Sequence, residues 1–96
     1  MQITKELTLI NKEGFHVRPA SLVCAIVSKS KSEASLKKGG YEADCKSCLD
    51  LMALVGEKGD VLTLSVTGED AETVAAAIED LFNRKFEEEE FAPSRD

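Results

Sequence analysis

The sequence predicts an α+β domain: a four-stranded, mostly antiparallel sheet with three helices on one face. Three observations predict it. Residues 2–10 and 61–67 alternate apolar and polar side chains with a period of two, the mark of strands open to water on one side. Residues 18–29, and the stretch from Asp70 onward, place apolar residues at helical spacing between and after those strands. At 96 residues the chain has room for one core, and helices packed on one side of a small sheet form one.

Each element has its own reason. Ile3, Leu7 and Leu9 take the odd positions of the first strand, and Thr4, Glu6 and Thr8 the even ones. Asn11-Lys12-Glu13-Gly14 is a turn. Arg18-Pro19 then opens an Ala-, Leu-, Val- and Ile-rich helix, since proline is tolerated in a first helical turn. Glu33–Lys38 and Tyr41–Asp44 are short strands joined by the hairpin signal Gly39-Gly40. Ser47-x-x-Asp50 resembles a capping box before a short helix that carries Leu51 and Leu54, and Glu57–Asp60 ends it. Leu62, Leu64 and Val66 alternate with Thr63, Ser65 and Thr67 in the last strand. In the last helix Ala71, Val74, Ala75, Ile78, Leu81 and Phe82 form one stripe. The domain is expected to span residues 1–85. Residues 86–96, with four adjacent glutamates that repel one another, are expected to form an acidic tail.

Composition narrows function. Twelve basic against eighteen acidic residues leave a net charge of -6, which disfavours a phosphate-neutralising nucleic-acid binder. No apolar run approaches the ~20 residues that cross a bilayer, and Met1–Glu6 lacks the core of a signal peptide. A cytoplasmic protein with no membrane partner is expected. Three cysteines are an odd number, so reduced thiols are the default. Cys45 and Cys48 form a single C-x-x-C, but with one histidine far upstream no metal site is expected. There is no glycine-rich loop to hold a nucleotide, and no cofactor is expected.

Chemistry concentrates in Gly14-Phe15-His16-Val17-Arg18-Pro19-Ala20. His16 stands just before a helix start, where unpaired amides and the helix dipole attract an anion. Arg18 adds a forked cation suited to phosphate oxygens. Gly14 permits a tight turn that exposes the ring. A histidine, an arginine and a helix end suffice for reversible phosphoryl transfer through a phosphohistidine. A surface or capping role for His16 is the plainer alternative.

This segment resembles the phosphorylatable-histidine motif of the HPr family, the phosphocarriers of the bacterial phosphoenolpyruvate:sugar phosphotransferase system. Lys46-Ser47-Cys48-Leu49-Asp50-Leu51-Met52 is similar to the segment around that family's regulatory serine. Further matches are the Gly56–Asp60 turn and Gly68-Glu69-Asp70-Ala71 at the last helix, so the likeness covers about residues 1 to 85. It implies the HPr-like open-faced β-sandwich and a carrier role rather than an enzyme's. His16 would take a phosphoryl group on Nδ1 from enzyme I and pass it to an enzyme IIA-type domain, with Arg18 neutralising the added charge. Ser47 would be the site of an ATP-dependent HPr kinase/phosphorylase. Cys48, Leu49 and Met52 fall where the family presents an apolar docking patch, and Leu51 and Leu54 already supply the helix's inward face. A monomer is expected.

The chain departs from the family pattern in places. Ala25, Ser28 and Asp50 stand where basic residues often face acidic partners, Glu13 replaces an asparagine, and Cys48 replaces a larger apolar residue. These changes leave room for a regulatory HPr-like protein controlled at Ser47, or for a nitrogen-related branch rather than sugar uptake. A third reading, a thiol sensor built on Cys45 and Cys48, lacks thioredoxin-like surroundings.

Overall fold

The computed structural model describes residues 1–87. Strand β1 (Gln2–Thr8) is followed by α1 (Val17–Ser28), β2 (Ser32–Lys38), β3 (Tyr41–Asp44), α2 (Cys48–Ala53), β4 (Val61–Gly68) and α3 (Ala71–Asn83), with a tight, non-helical turn at Lys85–Glu87. The strands form a single sheet in the order β1-β4-β2-β3, and every neighbouring pair is antiparallel. The α+β class and the three-helix, four-strand order are as the sequence leads one to expect.

Register follows from the alternation. Leu7 stands opposite Leu62, Leu36 opposite both Leu64 and Ala43, and Ala34 opposite Val66. All seven side chains are buried. A slip of one residue would turn these apolar rows to water, so one register wins. Lys5 shares the inward face of β1, and its ammonium reaches out to Glu79 on α3 at 3.0 Å. The six stripe residues of α3 are all buried. Pro19, Ala20, Val23 and Val27 turn the same way on α1.

Two polar devices pin the helices. Ser32, buried at the start of β2, donates from Oγ to Asp70 Oδ1 at 2.5 Å, and the Lys31 amide donates to Asp70 Oδ2 at 3.0 Å. The hydroxyl first, and the amide second, hold the Asp70 carboxyl below the usual carboxylate range. At the start of α2 the Asp50 amide donates to Ser47 Oγ at 3.2 Å, as a cap requires. The return half of a capping box does not form. Asp50 Oδ2 accepts from the Asp44 amide at 3.2 Å instead, and the Ser47 amide donates to the Asp44 carbonyl at 2.9 Å.

The boundary expected at residue 85 needs adjusting. Phe86 is fully buried, so the packed body continues at least that far. Its ring lies 4.9 Å from that of Phe82 and 5.8 Å, edge-on, from that of Phe15, and Phe15 and Phe82 are 6.2 Å apart. Apolar burial of a large ring outweighs the like-charge repulsion of the glutamates that follow. The rest of the expected tail, residues 88–96, lies outside the described residues.

Candidate functional site

His16 is held by a loop fixed by its own turn and by two distant segments. Asn11, fully buried, closes the turn: its Nδ2 donates to the Gly14 carbonyl at 2.6 Å, and its own carbonyl accepts the Gly14 amide at 3.2 Å. The Phe15 amide then donates to the Gly56 carbonyl at 3.0 Å, an isolated bridge to the loop before β4. Beneath the backbone, the Phe15 ring packs into the aromatic group with Phe82 and Phe86. Gly14 has φ +73, and a Cβ there would lie 2.5 Å from the Gly56 oxygen. At Gly56 a Cβ would meet Leu9 Cδ1 at 2.6 Å and Phe15 Cβ at 3.0 Å. The two glycines let the strands of this bridge approach. Gly14→Ala therefore should lose about 2–3 kcal/mol in urea unfolding, from left-handed strain plus the displaced Gly56 carbonyl.

His16 itself is the N-cap of α1, with extended backbone (φ -129, ψ -153), and its side chain makes no cap hydrogen bond. Its carbonyl accepts the first helical bond, from the Ala20 amide at 3.0 Å. No acidic side chain occupies the first turn of α1, so nothing there offsets the positive end of the helix dipole. Pro19 in that turn has no N–H to give, which leaves the amides at the very start of α1 to meet an anion. The imidazole is half-buried, and Nε2 is the buried nitrogen. Arg18, two residues on, is exposed. A shallow cavity of about 530 Å³ lies elsewhere, lined by Glu33, Glu42, Asp44 and Asp50 among others and by no residue of the 14–20 segment.

The expected docking patch divides. Leu49 is 76% exposed, while Cys48 is half-buried. Met52 packs partly against the core, so its role is shared between stability and surface. Leu51 and Leu54 are buried as expected. Sequence reasoning missed Val17 and Val55, exposed by 62% and 63%, which flank the Phe15–Gly56 bridge in the chain. Val55 even adopts φ +51, uncommon for a β-branched residue. It also missed Asn11 and Phe86 as supports of the loop. An Asn at a turn and a lone Phe before a charge run are the only signals either one gives. Leu49→Ser should shift the melting temperature by no more than about 2 °C, the signature of a side chain that solvent already surrounds.

An imidazole with one ring nitrogen buried, at a helix start without a side-chain cap and two residues before an arginine, is the kind of site that a class of anion-accepting proteins needs. Comparison with known proteins names the class. Residues 3–84 match the family PTS-HPr, the PTS HPr component phosphorylation site. The chain is 36% identical over 87 residues to phosphocarrier protein HPr of Treponema pallidum, covering 91% of this chain and 99% of that one. It is 34% identical over 84 residues to phosphocarrier protein HPr of Xylella fastidiosa, covering 88% and 94%. The crystal structure of HPr-C-His from Thermoanaerobacter tengcongensis superposes with a TM-score of 0.81 at 34% identity, covering 92% of this chain and 97% of that one. This chain belongs to the HPr family, the phosphocarrier proteins of the phosphotransferase system.

Proposed function

We propose that the chain carries a phosphoryl group on Nδ1 of His16, received from enzyme I and passed to an enzyme IIA-type domain, and that it turns over no small substrate of its own. The observation that carries this reading is the placement of the imidazole: Nε2 buried, the ring half-exposed, at the start of a helix with no acid in its first turn. In the transfer, the Nδ1 lone pair forms a bond to phosphorus as the bond to the donor breaks. The start of α1 and the Arg18 guanidinium hold the transferred oxygens. Because the site stores no nucleotide, the free energy of the new P–N bond comes from the donor and leaves with the acceptor. The carrier acts as a cytoplasmic monomer in this reading.

The test is direct. Incubation of the full chain with phosphoenolpyruvate and enzyme I should place one acid-labile, base-stable phosphate in the tryptic fragment 13–29. An acid-stable phosphate, or one in any other fragment, would overturn the assignment.

Ser47 has a second role in the same reading, as the site of an ATP-dependent HPr kinase/phosphorylase. As a cap its loss should cost about 1 kcal/mol in Ser47→Ala. A phosphate there would add about two negative charges beside Leu49 and Asp50, raising the cost of burying that surface against a partner. Serine-phosphorylated protein should then accept phosphate at His16 more slowly than the unmodified chain, at unchanged helix content. Equal rates would leave Ser47 a cap alone.

A further inference from the structure

The three thiols gather where α1 crosses the start of α2. Cys24, on α1, donates from Sγ to the Lys46 carbonyl at 3.5 Å, two residues before Cys48. The same sulfur lies 3.8 Å from Ser28 Oγ, and the Cys24 thiol is the largest cause that pushes the Cys48 thiol up from its ordinary value. Cys45 differs from both. It is fully buried, and burial first, with Asp44 next, pushes its thiol up to about 12, so it supplies no thiolate near neutral pH. Cys24 and Cys48 are part-exposed. The C-x-x-C of the sequence therefore pairs a part-exposed thiol with a buried one, and the thiol that reaches the start of α2 comes from α1.

We propose that Cys24 and Cys48 are an oxidation site, at which a small peroxide converts the two thiols into a disulfide joining α1 to the start of α2. One thiolate attacks a peroxide oxygen, breaking the O–O bond and giving a sulfenic acid, while the released hydroxide takes a proton to become water. The second thiol attacks the sulfenic sulfur, forms the S–S bond and expels a second water. Two thiols lose two electrons in all, and one peroxide is reduced to two waters. Cys48 lies between Ser47 and Leu49, so the bond would fix the helix that bears the docking residue. That consequence rests on the docking reading given above; the bond itself does not.

Trypsin separates the three cysteines. Cys24 falls in fragment 13–29, Cys45 in 39–46 and Cys48 in 47–58. After treatment of the full chain with hydrogen peroxide, a thiol count should fall from three to one. The non-reduced digest should contain 13–29 joined to 47–58, lighter by two hydrogens. The joined peptide should persist in Cys45→Ala and vanish in Cys24→Ser and Cys48→Ser, each verified as folded by circular dichroism. A link between 39–46 and 47–58, a covalent dimer, or over-oxidised single cysteines without a link would overturn the proposal. The digest reads the bond alone, so it stands or falls separately from any effect of Leu49 on partner binding.

Discussion

His16→Ala should accept no measurable phosphate from enzyme I, a loss of at least ~10⁴-fold in transfer rate, because the nucleophile itself is gone. His16 is the chain's one histidine, so no other imidazole can substitute. The fold should persist: the ring makes no cap bond, and Asn11, Phe15 and Gly56 tie the loop down. Stopped quench-flow labelling, beside a melting curve of the same variant, separates the two effects. Arg18→Ala makes the informative contrast. It removes one source of positive charge and leaves the helix amides, so a slowing of roughly 10–100-fold is expected instead of a complete loss. Residual labelling of His16→Ala at more than a trace would move the acceptor to another residue.

Phe86→Ala should cause the largest loss of stability of any single change considered, about 3–5 kcal/mol. The ring is fully buried against Phe15 and Phe82, and its removal leaves a cavity at the point where α3 meets the loop that bears His16. Lys85 and Phe86 both hold left-handed backbone, with φ of +56 and +54, which a bulky side chain adopts only when packing offsets the strain. Set against a domain stability of roughly 5–10 kcal/mol, such a loss should lower the melting temperature by on the order of 20 °C. Thermal unfolding followed by circular dichroism measures it. A loss below about 1 kcal/mol would show that the core ends with α3.

The elements with a strong period were legible. Alternation in β1 and β4 and the stripe on α3 encode which face is buried, because burial is what those periods record. The short pieces were less so, since β3 and α2 are only four and six residues long and their placement depends on pairing with β2 and on the Ser47 cap. His16 and Arg18 were legible as a motif, whereas the support beneath them was not. Asn11, Gly56 and Phe86 matter through contacts across the chain, and no local pattern marks such contacts. Phe86 was hidden by the glutamates after it, whose charge speaks for solvent. The free thiols expected from the odd cysteine count are free, but their placement was not legible. Neighbours in sequence, Cys45 and Cys48, differ in burial, while Cys24 reaches the Lys46 carbonyl from another helix.

The sheet order β1-β4-β2-β3 also constrains when the site can exist. The first strand pairs with the last, and the Phe15–Gly56 bridge and the Phe15–Phe86 ring contact both close long loops, so the entropy of closure must be met before either contact forms. The β2–β3 hairpin, by contrast, closes over a two-residue turn and needs nothing from the rest of the chain. A nascent chain therefore exposes His16 early but cannot present it correctly until α3 and Phe86 have been made and docked. Pulse-labelled hydrogen exchange during refolding should find the hairpin amides protected first and the Phe15 amide among the last. On the proposed function, a carrier whose acceptor is assembled last would offer its partners only finished molecules, and an unfinished one would draw no phosphate from them.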